Sequence, residues 1–358
     1  MKLIYRYILA RLAGGTLLTL LALLCLYAFF DAIQNVSQLG TGTFTLGTMA
    51  RYIGLLVPGH AYELMPLAVL IGCLVAMTQL VSNSEYTILR TSGVTMTQLA
   101  RTLVLFGALF ALLTVLLGEF LAPLASQQAE RLKLQSTHSM VAQEFRSGIW
   151  AKDNNNYINV REMLPDSTLL GIRILSYDGN YRLIHSRYAE RGTYNRGTRE
   201  WTLFNVRDTL LADDRASVAL HPTQTWKSVI EPAILNVLLV APEQMSALNL
   251  YSYITHLRGN HQKTERYDIA LWGKLFYPLA CVSMALVALA FMPRQRRNGQ
   301  LGLRLFLGIC LGVAFHFINR LFGYLGLLHE WNAPMSATLP TVLFLAAGLF
   351  MILRQERR

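Results

Sequence analysis

The chain has 358 residues, 53% of them hydrophobic and 15% charged, with a mean hydropathy of +0.35. That balance is too apolar for an ordinary soluble enzyme, yet it leaves enough polar sequence for an extramembrane domain. The net charge of +11 is not a nucleic-acid footprint, because no basic run is interleaved with aromatic residues; Lys and Arg gathered on the cytoplasmic side of a membrane protein account for it.

The first apolar run covers residues 12–33, after Lys2, Arg6 and Arg11. About twenty apolar residues span a bilayer and exceed the core of a signal peptide, and no small-residue cleavage site closes the run, so it is expected to remain as the first span. Before it, Leu3, Ile4, Tyr7 and Ile8 fall at helical spacing opposite Lys2 and Arg6, which predicts a short interfacial helix. Residues 35–62, with Gly40, Gly42, Gly47 and Pro58, read as a mixed connection. Further spans are expected over 64–81, 102–121, 269–291, 305–328 and 335–353.

Six spans place both termini on one side. The termini and the loops 82–101 and 293–304 hold twelve Lys and Arg, whereas the short loops of the opposite face hold only Arg51. Both termini are therefore expected in the cytoplasm, with residues 126–266 outside it, in the periplasm of a Gram-negative cell. The expected domains are a first transmembrane half (1–125), the insertion (126–266) and a second transmembrane half (267–358).

Within the insertion the apolar period shifts to two. Ile172 and Ile174 lead to Asp178-Gly179, a hairpin signal, and Tyr181, Leu183 and Tyr188 continue beyond it. Residues 201–206 and 216–220 read as further strands, as do Trp150, Tyr157 and Val160 around Asn154-Asn155-Asn156. Regular short strands imply an all-β sandwich, jelly-roll or barrel-like domain. Helical spacing returns through Leu250, Tyr251, Ile254 and Leu257 and stops at Gly259-Asn260, which predicts an amphipathic connector into span four.

Chemistry-bearing motifs are missing. The sequence has no GxxxxGK[ST] phosphate loop, no HExxH and no GxSxG, and the carboxylates of the insertion are scattered among its 17 Lys and Arg. Cys25, Cys73, Cys281 and Cys310 all fall in apolar runs, so neither a disulfide framework nor a metal site is expected. Any work done on a substrate must draw its energy from elsewhere.

Two groups of residues remain informative. In the loop after span two, Ser82 or Ser84 can cap a helix that starts at Glu85 and ends at Gly93, offering Tyr86, Leu89 and the stem of Arg90 to a partner; a plain connector is the simpler reading of the spacing. Near the outer boundary stand Asp31, Glu63, Glu119, Lys274 and Arg320, with His316 and Asn319 beside the last. Glu63 and Glu119 read as facing headgroups, Lys274 as reaching the same interface, His316 as a packed histidine, and Arg320 either as paired with a carboxylate or as meeting an anionic ligand. Past span three, Arg131 and Lys133 stand where cations can meet lipid phosphates or simply anchor the chain.

With these elements placed, the chain resembles the lipopolysaccharide export permeases, the LptF/LptG family, over essentially its whole length. The segments that carry the resemblance are Ser84-Glu85-Tyr86-Thr87-Ile88-Leu89-Arg90-Thr91-Ser92-Gly93, Gly118-Glu119-Phe120-Leu121-Ala122-Pro123 and Gly148-Ile149-Trp150-Ala151-Lys152-Asp153, the last leaning toward the LptG branch. The resemblance implies a helical polytopic membrane protein with six transmembrane helices and an inserted β-jellyroll of a periplasmic bridge. It implies that lipopolysaccharide is moved toward the outer membrane with an LptF-like permease as second half, an LptB-like ATPase dimer holding ATP and Mg, and an LptC-like single-span protein. No cofactor is expected on this chain.

By the same analogy Glu85, Tyr86, Leu89, Arg90 and Gly93 belong to a coupling helix (84–93) in the ATPase groove, and spans one and five form lateral gates. Asp31, Arg131, Lys133 and Arg320 become the candidate lipid-contact residues. Family members often carry lysine near the outer end of span one; this chain offers Asp31, Gln34 and Asn35, so Arg320 is expected to supply compensating charge. Two other classes compete: a secondary transporter, which would show charged broken helices at the midplane, and a membrane-anchored adaptor or receptor, which would need no ATPase.

Overall fold

The structure, a computed structural model, describes residues 2–137, 148–153, 155–163, 168–180, 182–195, 197–198, 200–212, 215–228, 242–260, 262–291, 301–329 and 331–356. The bundle is built around α2 (Leu46–Ser82), a 37-residue helix. It begins much earlier than the expected span, because Thr45 accepts a hydrogen bond from the Thr48 amide, and the helix absorbs Gly47, Gly54, Pro58 and Pro66. Turn-prone residues were the reason to expect a connection there, but apolar surroundings leave backbone groups no partner better than the helix itself.

α1 (Lys2–Val36) is likewise one continuous helix, not an interfacial segment followed by a span. Ile8 and Leu12 are completely buried against the bundle, which carries the helix straight through the charged N-terminal turns. α1 lies on one face of α2 through a close backbone approach: a Cβ added at Gly72 would stand 2.3 Å from Thr16 Cα. On the opposite face Leu67, Leu70 and Leu74 meet Gly308 and Gly312 of α9 (Leu301–Leu328). Small residues let helices in lipid gain dispersion contacts where no hydrophobic driving force acts between them.

Span four is not one straight helix. α7 (Glu265–Phe276) and α8 (Leu279–Ala290) meet at a 52° bend. Pro278 lacks the N–H that would bond the Lys274 carbonyl, and its ring crowds that carbonyl. α8 is almost wholly buried and rich in Ala, Ser and Cys, so α4 (Met96–Leu116) and α10 (Ala333–Glu356) pack closely on it. Among the described residues, five helices are long and apolar enough to cross a membrane, and the bent pair adds a sixth if counted as one span.

After α4 the helix widens into a π-turn (Leu117–Leu121) and continues as α5 (Ala122–Thr137). Pro123 cannot bond the Glu119 carbonyl four residues back, and the wider turn accommodates that loss. The chain then enters a six-stranded antiparallel sheet: β1 (Ile149–Asp153), β2 (Asn156–Met163), β3 (Leu169–Tyr177), β4 (Leu183–Asn195), β5 (Glu200–Leu211) and β6 (Ala216–Trp226). Each strand pairs only with its sequence neighbours, so the described strands form a meander, and the crossover that distinguishes a jelly-roll is not among their pairings. The β3–β4 turn forms where Asp178-Gly179 signals it: Asp178 Oδ1 accepts from the amides of Asn180 and Arg182, each at 2.8 Å. One sheet face buries Ile158, Val160, Ile172, Ile174, Ala189 and Val206 with Trp201 and Trp226.

The chain returns through a 3-10 turn (Pro242–Gln244) and α6 (Ala247–Gly259). Ser246 Oγ accepts from the Asn249 amide at 3.2 Å, and Leu250, Tyr253, Ile254 and Leu257 are buried. Tyr251, expected on that face, is instead exposed, because the buried stripe follows 250, 253, 254 and 257. Burial, with Tyr267 adding, raises the Tyr253 phenol above its ordinary pKa and keeps it neutral.

Candidate functional site

At the end of the bundle opposite the sheet, α3 (Glu85–Thr91) joins α2 through Asn83 and Ser84. Ser84 is in the left-handed region at φ 63° and its side chain makes no cap; the expected serine cap is replaced by this backbone kink. The C-terminus closes as read: Gly93 has φ 88°, its amide bonds the Arg90 carbonyl, and the Val94 amide bonds the Leu89 carbonyl. Arg90 Nη1 also donates to the Val94 carbonyl at 3.2 Å.

The orientation of α3 differs from the sequence expectation. Tyr86 and Leu89 turn inward and pack on the bundle core, while Ile88 is 62% exposed, flanked by Thr87, Arg90 and Thr91. Glu85 Oε2 accepts from Tyr7 Oη at 2.8 Å, and Tyr7 Oη accepts from Arg11 Nε at 3.0 Å. A force on the exposed face of α3 therefore reaches α1 through a polar chain and α2 through a two-residue joint.

At the sheet-facing end, each lateral helix is held to α2 by a polar pair. Asp31 of α1 lies 2.8 Å from His60 Nε2, with the Tyr27 ring 5.0 Å from the imidazole. Arg320 of α9 lies 3.2 Å from Glu63 Oε2. His316, Asn319 and Arg320 line a crevice of about 390 Å³ with Tyr62, Tyr277 and Tyr324. Asp31 and Arg320 thus have separate partners on α2, and Glu63 faces a guanidinium, not headgroups.

Arg131 and Lys133 diverge. Arg131 shares an open recess of about 560 Å³ with Arg51, Leu55, Gln128 and Gln135, whereas Lys133 lies 5.3 Å from the centre of the Tyr52 ring. Arg51 is the cation that sequence reading used only for counting charge; the recess it forms with Arg131 depends on α2 meeting α5, 80 positions apart, and no local signal reports that.

Glu119 and Lys274 also have protein partners. Glu119 accepts from the amides of Ala247 at 2.8 Å and Leu248 at 3.2 Å, and Lys274 Nζ donates to the Met245 carbonyl. Reading them as interface anchors was incomplete, since both carry a backbone load. Among the described residues there is no cluster able to hold a metal ion.

A family model described as lipopolysaccharide export system permease LptF/LptG matches residues 6–354. The chain belongs to this family. The lipopolysaccharide export system permease protein LptG of Haemophilus influenzae is 27% identical to it over 351 residues, covering 98% of each chain. The LptG protein of Escherichia coli K12 is 28% identical over 352 residues, again 98% of each. With its apolar helices the LptF/LptG family member described here is a multi-pass inner-membrane transport subunit, a permease of lipopolysaccharide export.

For this LptF/LptG permease, both ends of the bundle become interpretable. Its α3 is a surface helix mechanically tied to a lateral span, and its sheet-facing end carries cations beside apolar helix faces.

Proposed function

We propose that this chain is one of two permease halves in an ATP-driven exporter that extracts lipopolysaccharide from the outer leaflet of the inner membrane and passes it to a periplasmic bridge. An LptF-like permease forms the second half, an LptB-like ATPase dimer carrying ATP and Mg seats below α3, and an LptC-like single-span protein lies beside the spans. Both termini are cytoplasmic. Residues 1–125 and 267–358 form the membrane halves, and 126–266 form a periplasmic domain that closes as a jelly-roll.

The observation that carries this reading is α3. Its apolar Ile88 points into solvent while Glu85, Tyr7 and Arg11 link it to α1. A separate motor gripping Ile88 and Arg90 can pull α1 and α2 together, and Gly93 permits the sharp return into α4. Acyl chains gain little on leaving lipid for an apolar cavity, so extraction needs such external work. At the other end, Arg131 with Arg51, Lys133 and Arg320 form the positive rim for lipid phosphates, and Asp31 fixes the outer end of α1 through His60.

Burying Ile88 in a groove contributes roughly 1.5–3 kcal/mol. Ile88→Asp is therefore expected to weaken retention of the ATPase more than tenfold, and Glu85→Gln or Arg90→Ala to separate ATP hydrolysis from lipid release. The measurement is ATPase rate and lipopolysaccharide release from the purified complex in lipid nanodiscs; unchanged coupling in all three variants would overturn the assignment of α3.

A further inference from the structure

The chain re-enters the membrane bundle at residues 245–248, and two charged side chains from different spans hold that point. Glu119, on the π-turn, takes the first two amides of α6, those of Ala247 and Leu248, at 2.8 and 3.2 Å. Ser246 takes a third, that of Asn249, so three of the four amides left free at a helix start have side-chain partners. From the other side, Lys274 of α7 donates to the Met245 carbonyl. Met245 is itself buried with Leu250, Tyr253 and Leu257, so the held segment is the packed root of α6.

The same place touches α2. The Tyr62 ring lies against Gly118, where an added Cβ would stand 2.5 Å from it, and Lys274 Nζ is 5.5 Å from the ring centre. Tyr277, beside the bend of span four, lies 5.2 Å from Tyr62 and donates to the Glu63 carbonyl. Spans two, three and four therefore converge on the root of α6, whose Tyr253, His256 and Leu257 share a crevice with Trp150, Ala151 and Lys152 of β1. A helix needs only its capping serine to start; a carboxylate delivered from a π-turn 128 positions away adds a connection.

We infer that Glu119 and Lys274 are positioning residues that carry movement of the spans to the sheet. When the bundle closes, the π-turn and the outer segment of broken span four shift, and α6 shifts with them because its first two amides and the carbonyl just before it are charge-gripped. The sheet is then set to receive lipid as the cavity empties. This inference rests on the export reading above.

The test uses the full complex in nanodiscs with Glu119→Gln, Lys274→Met and Ala247→Pro, and with Glu119→Asp and Lys274→Arg as conservative variants. Proline is compatible with the first helical position, so Ala247→Pro removes one N–H while leaving the helix start intact. Readouts are ATP hydrolysis, lipopolysaccharide photocrosslinked from position 128 in the bundle, and lipopolysaccharide photocrosslinked from position 194 in the sheet. The three disruptive variants are expected to keep ATP hydrolysis and the bundle crosslink while the ATP-dependent sheet crosslink falls about tenfold, the change that about 1.4 kcal/mol produces. The conservative pair restores most of it. An undiminished sheet crosslink in Ala247→Pro and Glu119→Gln overturns the positioning role alone. A wild-type complex with no ATP-dependent sheet crosslink overturns the export reading and this inference with it.

Discussion

The guanidinium of Arg320 stands 3.2 Å from a carboxylate of Glu63, its one acidic partner among the described residues, yet remains 59% exposed. An exposed pair of this kind contributes about 0–1 kcal/mol, so the pair alone does not explain a charge at the membrane boundary. The exposed part of the group is free to meet an anion, and removing Glu63 removes a competitor for it. Arg320→Ala is accordingly expected to lower lipopolysaccharide photocrosslinking from position 319 about fivefold, the worth of about 1 kcal/mol for one cation near anionic lipid. Glu63→Gln should not lower it. Equal losses in both variants would mean that the pair only pins α9 to α2.

At the scale of the element, close packing is the most sensitive feature. Adding a side chain at Gly72 forces backbone against backbone, because Thr16 Cα and N lie 2.3 and 2.5 Å from the new Cβ. Gly72→Val is expected to cost about 1–3 kcal/mol and to part α1 from α2. The parting should appear as a lower thermal unfolding midpoint of the purified protein in nanodiscs, with little shift in Gly14→Val, where an added Cβ meets nothing within 4 Å.

What was legible beforehand divides along physical lines. The hairpin at Asp178-Gly179, the strands around it, the left-handed Gly93 and the α6 stripe of Leu250, Ile254 and Leu257, though not Tyr251, depend on residues within a few positions of each other and stand in the structure where the pattern places them. The start of α2 was misread because Gly47 and Pro58 signal a break only where water can take the freed backbone groups. The break that does occur, at Pro278, lay inside an uninterrupted apolar run. The inward turn of Tyr86 and the partners of Glu119, Lys274 and Arg51 depend on contacts between distant segments, which composition and periodicity do not encode.

Taken as a whole, the molecule has separate apolar cores: one in the span bundle, one under the sheet, and a small one around α6. Trp201 fills the sheet core at zero exposure, between Tyr194 and Trp226. Trp201→Ala is expected to destabilise the sheet by about 3–5 kcal/mol. Because the bundle core shares none of these residues, thermal unfolding followed by limited proteolysis should show earlier cleavage within residues 148–228 and unchanged protection of α2 and α8. Simultaneous loss of both would mean that the cores unfold as one.

The seating of α1 and α9 on opposite sides of α2 has one more implication. Each flank of the subunit is pinned to the same central helix by its own polar pair, Asp31 to His60 on one side and Arg320 to Glu63 on the other. The two pairs share no residue, so breaking one leaves the other in place, and the two flanks can part from α2 one at a time.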